Sequence, residues 1–251
     1  MEYPWPVLLG REPEDTILRQ VHSHQLAHWQ QQPQAPWVTL SFAASLDGKI
    51  DTRPRPVGAQ WRLSNARTML LTHAVRAAHD AVAVGYGTLL ADDPLLSVRY
   101  GVAERMPPEW RPPKAMVLLP HNVQRVPETC RLWRERRAAL IEQPRTAGVA
   151  HTGVRAVMLE GGARVITAAL QGASGGAKDT AGLYYHLLLL TISPCWLGSD
   201  TTGVAAYTSR ATDPLSDVPR VRPIGCWTLD DNVVILGAPP ETSPTNATRE
   251  E

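Results

Sequence analysis

The sequence predicts an α/β fold: a mainly parallel central sheet covered by helices and closed by an antiparallel C-terminal hairpin. Three observations carry that expectation. Apolar runs of strand length recur through the 251 residues, at 37–42, 80–85, 115–119, 138–142, 156–159 and 183–193. Segments with helical periodicity, 65–79 and 163–171, stand between some of them, the alternation that builds parallel strands. The last two runs, 224–229 and 233–236, flank Asp230-Asp231-Asn232, a turn signal that makes them a hairpin and an antiparallel edge.

Taken in order, residues 1–36 read as an N-terminal extension, a polar helix over 12–32 followed by Pro33 and Pro36 as breakers. In the first strand Val38, Leu40 and Phe42 alternate with polar neighbours, and the chain then enters Ser45-Leu46-Asp47-Gly48-Lys49-Ile50, where Asp-Gly marks a turn. Ser64 is the expected N-cap of the helix over 65–79. Ala66, Met69, Leu70, His73, Ala74 and Ala77 share one face of that helix, which should pack on the sheet, with Arg76 at its flank reaching toward a cleft. The run 80–85 reads as a buried strand and 183–193 as the most apolar one. The tail 239–251, rich in polar residues and proline, is expected to be disordered.

Composition narrows the function classes. Lys and Arg total 25 against 24 Asp and Glu, so the net charge of +1 provides no broad drive toward nucleic acid or an anionic membrane. The three cysteines, Cys130, Cys195 and Cys226, are odd in number and form no CxxC pair, which argues against a disulfide framework or a zinc site and for a reducing compartment. No apolar run approaches the roughly 20 residues that cross a bilayer. The N-terminus lacks the pattern of a signal peptide, so a soluble intracellular protein is expected.

Several motifs have both a chemical and a structural meaning. Gly85-Tyr86-Gly87 follows a buried strand, but a dinucleotide fingerprint needs a third glycine where Leu90 stands, and Asp93-Pro94 opposes an immediate long helix. Glu160-Gly161-Gly162-Ala163 ends a strand and opens a helix, which suits either a phosphate cradle or a tight strand–helix turn. Gly172-Ala173-Ser174-Gly175-Gly176 matches G-x-S-x-G but is preceded by a helix instead of a strand, so it reads as a surface loop. His24 and His28 stand four apart, with His22 adjacent, but no HExxH context or third ligand is apparent, so they read as a solvated helix face. The basic run 131–137 reads as a solvated helix end, with attraction for a ligand phosphate as the other meaning.

In their order along the chain these elements resemble the reductases of riboflavin biosynthesis, a family with a dihydrofolate reductase-like three-layer fold. The resemblance rests on Ser45-Leu46-Asp47-Gly48-Lys49-Ile50, on T-x-x-x-D-D-P-x-L-x-x-R from Thr88 to Arg99, on Leu159-Glu160-Gly161-Gly162, and on Thr191-Ile192-Ser193-Pro194-Cys195-Trp196-Leu197-Gly198. It implies a reductase domain over 37–238 that uses NADPH, with no metal, to reduce the ribosyl group of a pyrimidine ribose phosphate. By resemblance Thr88, Asp92, Trp61, Gly161, Gly162, Ala163, Arg164 and Val165 contact the cofactor, and Arg76, Leu96, Arg99 and Glu160 the substrate. Lys49 and Asp47 fall beside the ribose, where Lys49 would stabilise developing negative charge and supply a proton. A cytoplasmic homodimer with a small-molecule substrate is implied.

Three departures from the family pattern stand out. Residues 172–182 are inserted before the apolar strand, on a surface that commonly supports dimer contacts; Leu119-Pro120 offers no hydroxyl toward the cofactor; and Ala59 stands where relatives place a serine. The marks of a zinc deaminase domain, H-x-E and P-C-x-x-C, do not occur. A standalone reductase of fungal type is therefore expected. Its substrate would be 2,5-diamino-6-(ribosylamino)pyrimidin-4(3H)-one 5′-phosphate, with the deaminated pyrimidine or a non-catalytic nucleotide-binding role as alternatives.

Overall fold

The structure, a computed structural model, describes residues 8–51, 62–120, 122–123, 126–135, 138–141, 153–173, 183–199, 201–203 and 219–240. Trp61, Ala59, the segment 174–182 and the tail from 241 lie outside the described residues. The helices are α1 (Glu14–Gln31), α2 (Ala66–Ala77), α3 (Tyr86–Asp92), α4 (Arg131–Arg134) and α5 (Ala163–Ala173). The strands are β1 (Trp37–Ser45), β2 (Lys49–Asp51), β3 (Ala81–Gly85), β4 (Lys114–Leu118), β5 (Ala138–Ile141), β6 (Ala156–Glu160), β7 (Leu187–Ser193), β8 (Thr202–Gly203), β9 (Arg222–Leu229) and β10 (Asn232–Ala238). Eight strands form one sheet in the order β5-β4-β3-β6-β1-β7-β10-β9, while β2 pairs with β8 apart from it. The first six run parallel, and β10 and β9 are antiparallel, joined through Asp230 in a left-handed conformation.

Strand alternation divides the core into two layers. Trp37, Val82, Val84, Val117, Met158 and Leu189 pack on one face with α1 and α2; Val38, Leu40, Ala83, Met116, Leu159 and Leu188 pack on the other with α5. The result is the expected three-layer α/β sandwich. β1 is buried on both faces instead of alternating in and out, so Thr39 needs internal partners. The indole of Trp37 donates to Thr39 Oγ1, and the hydroxyl lies 2.8 Å from His79 Nε2; His79 Nδ1 lies 2.7 Å from the Val75 carbonyl. Donation to that carbonyl leaves Nε2 as the acceptor for Thr39.

Several expectations shift. The helix over 12–32 is expected as a polar extension, yet α1 buries Ile17, Leu18, Val21 and Trp29 in the core, and its fully buried Glu14 takes a forked pair of hydrogen bonds from Arg67 of α2. His28 is not on a free face either: it meets Trp37 and His186 edge-on. Helix α2 is capped by Asn65, not Ser64, because the Asn65 side chain accepts from Thr68 N–H while its amide reaches Leu229 and Asp231 of the hairpin. Its buried face accordingly includes Thr68, Leu71 and Val75, and Ala66 is exposed. The expected strand from 183 begins at Leu187, since the His186 ring accepts the Val38 N–H in place of a backbone carbonyl. Among the described residues no helix is long and apolar enough to cross a membrane.

Candidate functional site

A cleft of about 290 Å³ opens across the carboxyl ends of β1, β3, β6 and β7, where ligands bind in open α/β sheets. Register decides what reaches it. Glu160 ends β6 between Ser41 of β1 and Val84 of β3, and Thr191 of β7 lies opposite Ala43. All five residues line the cleft.

Gly161 and Gly162 turn from β6 into α5 with φ of 56° and 88°, conformations that disfavour any side chain. A Cβ on Gly162 would lie 2.7 Å from Thr88 Oγ1, so the α3 threonine sits directly over the double-glycine turn. The turn places the first N–H groups of α5, which have no partner within the helix, where the two glycines themselves contribute no side chain. That cradle fits a phosphate-bearing cofactor. Gly85 meets the same helix closely: a Cβ there would come 2.7 Å from Val165 Cγ2. Val165 therefore packs against the end of β3, and Arg164 is exposed and outside the lining, whereas Gly161, Gly162 and Ala163 line the cleft with Thr88 and Asp92.

On the opposite wall α2 presents Met69, Thr72 and Arg76 at helical spacing. Arg76 forms a bidentate pair with Glu160, each bond 2.6 Å, and donates through Nη1 to the Ser97 carbonyl at 2.9 Å. Burial opposes its charge, but the attraction of Glu160 prevails and raises the guanidinium pKa further. The same contacts hold the loop after α3, in which Asp93, Leu96 and Tyr100 all adopt positive φ. Arg131, from the basic run expected to be solvated, donates to the Asp93 carbonyl, and His73 Nδ1 accepts the Arg99 N–H. Leu96 is thereby buried in the cleft wall, while the Arg99 side chain is exposed and lies outside the lining.

Lys49 and Asp47 are also outside the lining. The Asp47 carboxylate accepts the Ser45 hydroxyl at 2.5 Å and the N–H groups of Leu197 and Gly198 at 3.1 and 2.8 Å. The Ser45 bond, with those from Leu197 and Gly198, outweighs partial burial and holds its pKa down to about 2. Asp47 is thus an ionised tie for the 195–198 loop, with no proton to give at neutral pH. Lys49 pairs with Gly203, its Nζ 3.4 Å from where a Gly203 Cβ would stand, beside the cleft-lining Ile50 and Asp51.

Sequence reasoning missed Ser41, Asp51, Arg62, Met69, Thr72, Thr191 and Thr202 among the lining residues. The 69, 72, 76 spacing was a usable signal for the α2 wall, and Thr191 opens one of the motifs that carry the resemblance; nothing local marks Ser41, Asp51, Arg62 or Thr202. Among the described residues no three His, Cys, Asp or Glu side chains are grouped to hold a metal ion.

Fold and cleft together define an open-sheet α/β protein with a cleft at the strand ends. The profile of the RibD C-terminal domain matches residues 36–235, and the chain belongs to that family. A 2,5-diamino-6-ribosylamino-4(3H)-pyrimidinone 5′-phosphate reductase of Archaeoglobus fulgidus is 29% identical over 180 residues, 60% of this chain and 80% of the relative. The reductase of the same name from Debaryomyces hansenii is 46% identical over 65 residues, 26% of this chain and only 25% of the relative's length. Mycobacterium tuberculosis RibD is 31% identical over 192 residues, 75% of this chain and 51% of that protein. The fold is shared with Acinetobacter baumannii RibD, at a TM-score of 0.67 and 19% identity, over 90% of this chain and 63% of that one. It is shared too with the Saccharomyces cerevisiae riboflavin biosynthesis reductase Rib7, at 0.55 and 21%, over 82% and 90%.

Proposed function

We propose that this chain is an NADPH-dependent reductase that converts the ribosyl group of 2,5-diamino-6-(ribosylamino)pyrimidin-4(3H)-one 5′-phosphate to a ribityl group, a step of riboflavin biosynthesis. The observation that carries this reading is the meeting of Thr88, the Gly161-Gly162 turn and the Arg76–Glu160 pair in one cleft. Family membership and the names of the archaeal and fungal relatives support it.

The double-glycine turn and the N–H groups at the start of α5 would hold the cofactor's pyrophosphate, with Thr88 and Asp92 beside the nicotinamide. A nicotinamide bound there supplies a hydride. Glu160, kept in place by Arg76, orients sugar hydroxyls through its carboxylate oxygens, and Leu96 packs against the pyrimidine side. Negative charge that develops on the opened sugar needs a donor, and Lys49, next to the lining residues Ile50 and Asp51, is the assignment, directly or through water. The soluble cytoplasmic homodimer belongs to the same proposal.

The test supplies purified protein with NADPH and, in turn, the diaminated and deaminated pyrimidine ribose phosphates while nicotinamide absorbance is followed. Turnover of the diaminated compound is expected, and Lys49→Ala should lower kcat by at least about 100-fold with little change in NADPH affinity. Preference for the deaminated substrate would reassign the step, and NADPH binding without turnover of either would make this a non-catalytic relative.

A further inference from the structure

We infer, resting on the reductase reading above for the ligand, that His73 is a positioning residue of the cleft: its Nδ1 holds the Arg99 backbone and so sets the course of the loop after α3. His73 lies on α2, fully buried and outside the cleft lining. Its Nδ1 accepts the Arg99 N–H at 2.9 Å, which in a neutral ring puts the proton on Nε2. That Nε2–H has no hydrogen-bond partner among the described residues. A buried donor left unsatisfied is a standing cost, so an apolar side chain of similar size would serve packing alone better. What the histidine adds is the lone pair on Nδ1. Burial, beside the charges of Arg76 and Arg99, keeps the ring neutral and that lone pair available.

The loop needs such ties. Asp93, Leu96 and Tyr100 have φ of 41°, 50° and 61°, conformations that persist only where the surroundings over-determine them. Arg76, three residues on along α2, donates to the Ser97 carbonyl, and His73 accepts from the Arg99 N–H. A carbonyl and an N–H two residues apart are the groups a neighbouring strand would pair; here two side chains of one helix stand in for that strand. The His73 ring also meets Tyr100 edge-on at 4.7 Å, and the Arg99 guanidinium carbon lies 5.9 Å from the centre of the same tyrosine ring. One imidazole therefore touches both the backbone of Arg99 and the ring beside its guanidinium. Leu96, at the start of the same segment, lines the cleft.

Three substitutions separate the bond from the volume. His73→Leu keeps most of the bulk and removes the acceptor, His73→Asn loses bulk but sets Oδ1 near the place of Nδ1, and His73→Gln carries its oxygen farther out. His73→Leu should raise KM for the pyrimidine ribose phosphate about 10-fold and change kcat and KM for NADPH by less than about threefold. His73→Asn should recover most of that loss, and His73→Gln should not. Hydrogen exchange of the Arg99 amide should quicken in His73→Leu and slow again in His73→Asn. A role in packing alone gives the opposite order, with His73→Leu harmless and His73→Asn damaging, and that order overturns the assignment. A wild-type protein that reduces neither pyrimidine removes the reductase reading instead. In that case Arg99 exchange and calorimetric binding of ribose 5-phosphate that worsen in His73→Leu and recover in His73→Asn keep His73 in its role, and values indifferent to His73→Leu remove it.

Discussion

At the scale of single residues, the cleft depends on side chains that are absent as much as on those present. Gly162 faces Thr88 Oγ1 so closely that a methyl group would collide with it, and its φ of 88° is strained for any other residue. Gly162→Ala is expected to cost about 1–2 kcal/mol in stability. Nicotinamide affinity should fall at least about tenfold, read by quenching of tryptophan fluorescence. An unchanged dissociation constant would remove the turn from the cofactor site. Asp47 is the contrasting case, a charged residue in a motif segment whose carboxylate is spent on a hydroxyl and two backbone N–H groups. Its low pKa follows from those bonds and signals structure, where a perturbed value in a cleft would have signalled chemistry.

At the scale of elements, α1 matters most to what counts as the domain. The family match begins at residue 36, but the helix before it seals one layer of the core. Ile17 and Val21 have no exposed surface. Ile17→Ala should therefore lower stability by about 2–4 kcal/mol in urea unfolding. Arg19→Ala, which removes an exposed pair with Glu12, should leave the urea midpoint essentially where it is. A small effect of Ile17→Ala would return α1 to the status of an appendage. Buried Gln25 strengthens the tie, its amide reaching the Ala78 carbonyl at 3.4 Å and lying 3.3 Å from His79 Nε2.

At the scale of the whole molecule, three histidines among the described residues are enclosed in neutral form. Burial pushes His73 down to about 3, helped by the charges of Arg76 and Arg99, and pushes His79 and His186 down to about 4. Between the ordinary histidine value near 6.5 and these lower values the unfolded chain binds protons that the folded chain does not. Stability is therefore full above about pH 6.5 and declines as pH falls toward 4, by up to about 1.4 kcal/mol per pH unit for His79 alone. Urea midpoints should be flat from pH 8 to 7 and drop clearly by pH 5. A midpoint that holds to pH 5 would show that these rings remain solvated.

Much of this was legible along the chain. Strand-length apolar runs, the Asp230-Asp231 turn and the helix over 163–171 depend on local periodicity and turn chemistry, and each is present at about its expected place. Thr88 and the double glycine, 73 residues apart, meet in space, and motifs in family order carry information that spacing alone does not. The face of α2 was not legible, since its buried stripe is set by a cap on a hairpin more than 160 residues away. Nor was the fate of the arginines, for a guanidinium is a ligand or a strut according to which carboxylate lies near it. By itself the sequence determined the order and type of the elements, because hydrophobic period and turn residues act over a few positions. Only the tertiary structure decided that Arg76 is spent on Glu160, that Asp47 ties a loop and that Arg62 faces the cleft, because strand register and layer packing, not chain neighbours, select the partner of each charge.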